Sequence, residues 1–162
     1  MTTTTHPEAQ IIVDTEVPLV RIVREFDAPA ARVYAAHVDP ELFLQWVGPD
    51  RRSATAPVWD ARTGGSYRYT LSGGADEQGF NGVFHELREN ALIVQTFSWE
   101  GTPDGVALEK LVFEDLGDGR SRLTSTSLVD SFEDRDAFVA SGMEAGVVEG
   151  YNKLDDLLRR VR

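Results

Sequence analysis

Between Pro49 and Val129 the chain repeats one pattern, a short apolar-alternating run closed by turn residues, and it then ends in a single long amphipathic stretch. The runs fall at about 54–60, 65–72, 79–88, 91–99, 106–115 and 120–129. The gaps hold Thr63-Gly64-Gly65, Ser72-Gly73-Gly74, Glu89-Asn90, Thr102-Pro103-Asp104-Gly105 and Gly117-Asp118-Gly119. These residues supply the positive φ and local hydrogen bonds that tight turns need. Connections this short join only antiparallel neighbours. Pro57 has no amide proton to give a ladder, so its strand is expected at a sheet edge. Beyond Val129, Ser131 and Asp134 are expected to cap a short helix through Ala140, and Ser141 with Glu144 forms a capping box for a longer one. Met143, Val147, Tyr151, Leu154 and Leu158 then make an apolar stripe. A meander sheet with one face to bury, closed by one amphipathic helix, is an α+β two-layer arrangement.

The N-terminal part completes the pattern. Residues 1 to about 16 are polar and aperiodic and read as a flexible arm. Leu19–Phe26 reads as a half-buried first strand, making about seven strands in all. Asp27 or Ala28 is the expected cap of a helix carrying Val33, Tyr34 and His37. Asp39-Pro40 opens a second short helix with Leu42, Phe43 and Trp46 on one side, stopped by Gly48-Pro49. Neither a repeat nor a second domain is visible, so 17–162 is expected to be one domain. With 162 residues it would bury roughly 70% of the surface its unfolded form exposes.

Twenty-seven Asp and Glu against 16 Lys and Arg leave a formal charge of −11, a field that repels nucleic-acid phosphates and anionic lipid headgroups. The chain has no cysteine, which excludes disulfides, thiol catalysis and thiolate zinc sites. The first residues lack a basic patch followed by an apolar run, and no segment approaches the roughly 20 apolar residues of a membrane span. A cytoplasmic protein is expected.

Three motifs, Leu42-Phe-Leu-Gln-Trp-Val-Gly-Pro49, Thr63-Gly-Gly-Ser-Tyr-Arg-Tyr69 and Ser141-Gly-Met-Glu-Ala-Gly146, occur in an order and spacing that resembles the START-like (SRPBCC, helix-grip) superfamily. Within it, the chain specifically resembles the domain related to the activator of the heat-shock protein 90 ATPase. The resemblance implies a curved antiparallel sheet forming an incomplete barrel, a long C-terminal helix across its concave side, and two short helices plugging one end. Where such proteins usually carry two tryptophans before Gly-Pro, this chain has Trp46-Val47. Where they commonly carry Gly-Trp in the last helix, it has Gly146-Val147.

Tyr67, Tyr69 and Leu71 share one strand face, as do Ile93, Gln95, Phe97 and Trp99. Aromatic rings with polar tips on a concave face suit a small-molecule pocket, although any one of them alone is more readily explained as plain core. Gly142, Gly146 and Gly150 recur every four residues, which would give close helix–sheet approach or room for a ligand. His6, His37 and His85 lack metal-ligand spacing. His85 and Glu86 cannot both point inward, so no catalytic residue is expected, and neither is a metal or a cofactor. Of Glu109 and Lys110, one could enter a cavity, and Thr124 to Ser127 could offer hydroxyls to a ligand.

The expected ligand-binding set is therefore Trp46, Tyr67, Tyr69, Gln95, Trp99, Met143, Val147 and Tyr151, around a small apolar or aromatic molecule. Trp59, on an edge strand, is expected away from it. Two alternatives stand beside this reading, a polyketide cyclase/dehydratase-like enzyme and a co-chaperone-like interaction module. The expected partner is a small apolar molecule, with neither nucleic acid nor membrane. A homodimer stays open, as does a chaperone partner, which the resemblance alone suggests.

Overall fold

A computed structural model describes residues 9–50, 52–74 and 76–160. In chain order the elements are β1 (Gln10–Val13), β2 (Leu19–Phe26), α1 (Ala30–Val38), α2 (Pro40–Phe43), β3 (Ser53–Trp59) and β4 (Ser66–Ser72). There follow β5 (Gln78–Arg88), β6 (Leu92–Trp99), β7 (Val106–Gly117), β8 (Arg120–Leu128), α3 (Phe132–Ala140) and α4 (Met143–Arg160). All eight strands are antiparallel in one curved, unclosed sheet of order β1-β2-β8-β7-β6-β5-β4-β3. The eighth strand, β1, corrects the expected arm. Gln10–Val13 pairs with Val23–Val20 of β2, while residues 1–8 lie outside the described residues. Its apolar run, Ile11-Ile12-Val13, is too short to stand out from polar surroundings. Pro57 sits on the edge strand β3, at a register shift between Thr55 and Val58.

The helix ends use local chemistry. At α1 the cap is Pro29 rather than Asp27 or Ala28, and the Ala30 amide donates to Asp115 Oδ1 of β7 at 2.8 Å. Asp39 caps α2 by accepting from the Glu41 amide, and Gly48, at φ +79°, turns the chain away. Ser131 caps α3 through the Asp134 amide, as expected. The capping box at Ser141 is not formed. Ser141 instead ends α3, its hydroxyl donating to the Phe138 carbonyl, and Gly142, at φ +86°, makes the left-handed break before α4.

The inward sheet face and α4 meet in one core, but unevenly. Leu154, Leu157 and Leu158 in the second half of α4 are at most 4% exposed and pack with Phe26, Val33 and Leu123. In the first half, Met143 and Val147 are only half-buried, and a Cβ placed on Gly146 would meet nothing within 4 Å. The helix is thus seated at its C-terminal end and stands clear of the sheet at its N-terminal end.

Candidate functional site

The space under the raised half of α4 is a cavity of about 770 Å³. Strands β4 to β8 form its floor, α1 and the α2–β3 connection close one end, and α3 and α4 form the roof. Exposed residues of the β6–β7 turn (Thr102, Gly105) and of the α3–α4 region (Asp134, Ser141, Gly142) form the mouth.

All eight residues singled out above line this cavity: Trp46, Tyr67, Tyr69, Gln95, Trp99, Met143, Val147 and Tyr151. Their positions differ. Trp46 is buried at the closed end, its indole N–H donating to the Ala36 carbonyl at 2.9 Å. Trp99 is 42% exposed and lies toward the mouth. Trp59 corrects the expectation. It does sit on the edge strand, but its ring lies 4.9 Å from that of Phe43, its N–H donates to the Val38 carbonyl, and it lines the cavity too. The glycines also divide. Gly142 precedes the helix, Gly146 leaves open space, and Gly150 lets α4 approach the Trp46 carbonyl, 3.3 Å from where a Cβ would stand. The close approach is therefore to the α2–β3 connection rather than to the sheet.

Burial on β7 alternates so that Ala107, Glu109, Leu111 and Phe113 point inward and Lys110 outward. Glu109 consequently places a carboxylate in an otherwise largely apolar wall. Gln95 Nε2 donates to its Oε1 at 2.9 Å and Ser127 Oγ to its Oε2 at 2.7 Å. Burial raises the pKa of Glu109, outweighing the two hydrogen bonds, which act to lower it. Burial, and secondarily the charge of Glu109, pushes the phenols of Tyr67, Tyr69 and Tyr151 upward, so all three are neutral donors at ordinary pH.

Tyr67 reaches across β5 to donate to the Thr96 carbonyl of β6 at 2.6 Å. That reach requires Gly82, its cross-strand partner, to have no side chain. The hydroxyls of Tyr69 and Tyr151 have no hydrogen-bond partner among the described residues.

Two site features lie outside the expected set. His37, on the apolar face of α1, lines the cavity between Trp46 and Phe113. Its Nδ1 is 2.8 Å from the Val33 carbonyl, which can only accept, so the proton resides there and Nε2 is left buried without a partner. Burial lowers its pKa to about 4, against a smaller upward effect of the Val33 carbonyl. The Val33–His37 spacing was visible in the sequence, but it marks a buried helix face and not a ligand wall. The second feature is Gly82, a strand-interior glycine whose signal is the rarity of that placement. His85, by contrast, is exposed on the outer face of β5. Among the described residues no group of three or more His, Asp or Glu could hold a metal ion, and no helix is long and apolar enough to cross a membrane.

An unclosed, curved sheet gripping a C-terminal helix above an internal cavity is the helix-grip architecture of START-like domains. The chain belongs to the family of activator of Hsp90 ATPase homolog 1-like proteins, whose family model matches residues 27–159. Solved structures share the fold. Protein Ms6760 from Mycobacterium smegmatis is 23% identical, with 94% of this chain and 97% of that one covered at a TM-score of 0.85. A protein from Arthrobacter aurescens is 26% identical, with 93% and 91% covered at 0.85. DynU16, from the dynemicin biosynthetic locus, is 19% identical at 0.63, with 88% of this chain covering 47% of that one. No curated protein matches the chain.

Proposed function

We propose that this protein binds a small apolar or aromatic molecule in the cavity between the sheet and α4. The observation that carries the reading is the empty volume itself. Protein interiors are normally filled, and about 770 Å³ lies within the range of small-molecule sites. Desolvation of the ligand would drive binding at roughly 25 cal/mol per Å² of apolar surface removed from water. The free hydroxyls of Tyr69 and Tyr151 would orient it.

Titration with flat apolar compounds is expected to shift tryptophan emission. Trp46→Phe and Trp59→Phe should each reduce the response, because both rings form the closed end. Native mass spectrometry of freshly purified protein is the companion measurement. A chain that carries no small-molecule mass and whose emission is unmoved by every compound would defeat the reading.

An enzyme related in manner to polyketide cyclases is a second reading, and one observation favours it: Glu109 is an inward carboxyl with a raised pKa, a property useful in a general acid or base. Its mark would be turnover of a bound compound, lost about a hundredfold in Glu109→Gln. The open cavity speaks against a purely surface-acting, co-chaperone-like module, for which a filled interior would serve as well.

A further inference from the structure

A neutral hydrophobe would leave the most unusual group of the cavity without a role. Glu109 has two neutral donors, Gln95 and Ser127, one to each oxygen, so each oxygen retains an accepting lone pair. No Lys or Arg is among the described residues that line the cavity. Arg24, on the inward face of β2, lies over the Phe26 ring at 5.0 Å and beside Asn152 of α4, outside the cavity wall. The other carboxylates of the lining, Asp130 and Asp134, are exposed at the mouth, where with the net charge of −11 they make the approach negative. Trp46, Tyr67, Tyr69 and Tyr151 line the same cavity, and the charge of Glu109 is felt at all three tyrosines. An inward carboxylate with no Lys or Arg in the surrounding wall, sharing its cavity with four aromatic side chains and reached through an acidic mouth, lacks one thing, a positive charge.

Resting on the small-molecule reading of this cavity, we propose that its ligand is a lipophilic cation, an aromatic or alicyclic body bearing a protonated amine that donates to Glu109. The amine supplies the counter-charge the wall omits, and its body fills the apolar remainder. Anionic ligands are disfavoured twice, at the mouth and at Glu109. Neutral alcohols of the same shape gain the apolar burial but only an ordinary hydrogen bond.

The test is calorimetric titration of the full chain with three matched probes, 2-(naphthalen-2-yl)ethylamine, 2-(naphthalen-2-yl)ethanol and 2-naphthylacetate. The expected order is amine, then alcohol, then acid. The amine should lead the alcohol by about 10- to 100-fold, the scale of a charge-assisted over a neutral hydrogen bond. Glu109→Gln should remove that lead, bringing the amine level with or below the alcohol, and far-ultraviolet circular dichroism should confirm that the variant is folded. If the alcohol or acid binds the parent as tightly as the amine, the cation assignment is overturned while the cavity reading survives. The parent comparison decides this even if the variant does not fold. If none of the three binds, both readings fall.

Discussion

Replacing Gly82 with alanine is expected to destabilise the protein by about 3 kcal/mol or more, because the new methyl group would have nowhere to go. Its Cβ would stand 2.0 Å from the Thr96 carbonyl oxygen and 2.6 Å from the Tyr67 hydroxyl oxygen. The first of these is backbone in the middle of the sheet, and no side-chain rotation relieves it. The β5–β6 register pairs Asn81 with Ser98 and Phe84 with Gln95, leaving Gly82 and Val83 unpaired between them. There Thr96 serves as a substitute ladder. Its carbonyl accepts from Tyr67, and its hydroxyl oxygen accepts from the Val83 amide at 3.0 Å. Alanine would displace the phenol from the cavity floor and open both bonds. Urea denaturation of Gly82→Ala and of Tyr67→Phe separates the causes, since the second variant loses only the hydroxyl and should fall by about 1–2 kcal/mol. Equal, small losses in the two variants would mean that the methyl group is accommodated and that this geometry is wrong.

Acid should weaken the fold through His37. Its folded pKa of about 4 lies below the ordinary value of 6.5, so between those values the unfolded chain binds a proton that the native state refuses. The contribution is therefore complete above pH 6.5 and is lost as pH falls toward 4. Between pH 7.5 and 4.5 the expected loss is about 2–3 kcal/mol from this group alone. The physical cause is specific. A second proton would charge a ring enclosed by Trp46 and Phe113, with no acceptor for Nε2. Glu109, raised by burial, acts in the opposite sense, adding stability at low pH that fades as pH rises through its folded pKa. It is present in both proteins of the comparison, so it does not distort the difference. Denaturant midpoints of the parent and of His37→Leu across that range are the measurement. The variant should be less pH-dependent by the stated amount, and parallel curves would contradict the buried, neutral imidazole.

Much of this structure was legible before any coordinates. Strand alternation and turn residues located β2 to β8, because a half-buried strand writes its pleat into the sequence and a hairpin writes its positive φ. The aromatic faces of β4 and β6 were readable for the same reason. What escaped depended on partners distant in sequence. β1 is four residues that become a strand only by pairing with β2. The acceptor for the first amide of α1 is Asp115, 85 residues away, which no local motif announces. The phase of β7 was ambiguous because Glu109 and Lys110 are both charged and flanked by leucines on either side. Only the Gln95 and Ser127 partners on neighbouring strands decide that the carboxylate turns inward. Trp59 was assigned by its edge position, yet an edge strand of a curved sheet still has a concave side, and the ring lies on it.

If the half-raised α4 roofs a space open to a ligand, a larger side chain at Val147 will show it. Val147 is half-buried in that roof, next to Gly146, beside which the space is empty. Val147→Trp should put an indole into the cavity, where it competes with ligand and meets little else. Calorimetric titration with 2-(naphthalen-2-yl)ethylamine, alongside thermal denaturation of the same variant, is the decisive pair of readings. A cavity open to ligand predicts that affinity falls by about tenfold or more, as roughly one aromatic group's worth of apolar burial is pre-empted, while Tm holds or rises. A loss of about 1–3 kcal/mol in stability with affinity unchanged is the signature of an overpacked core and would contradict it.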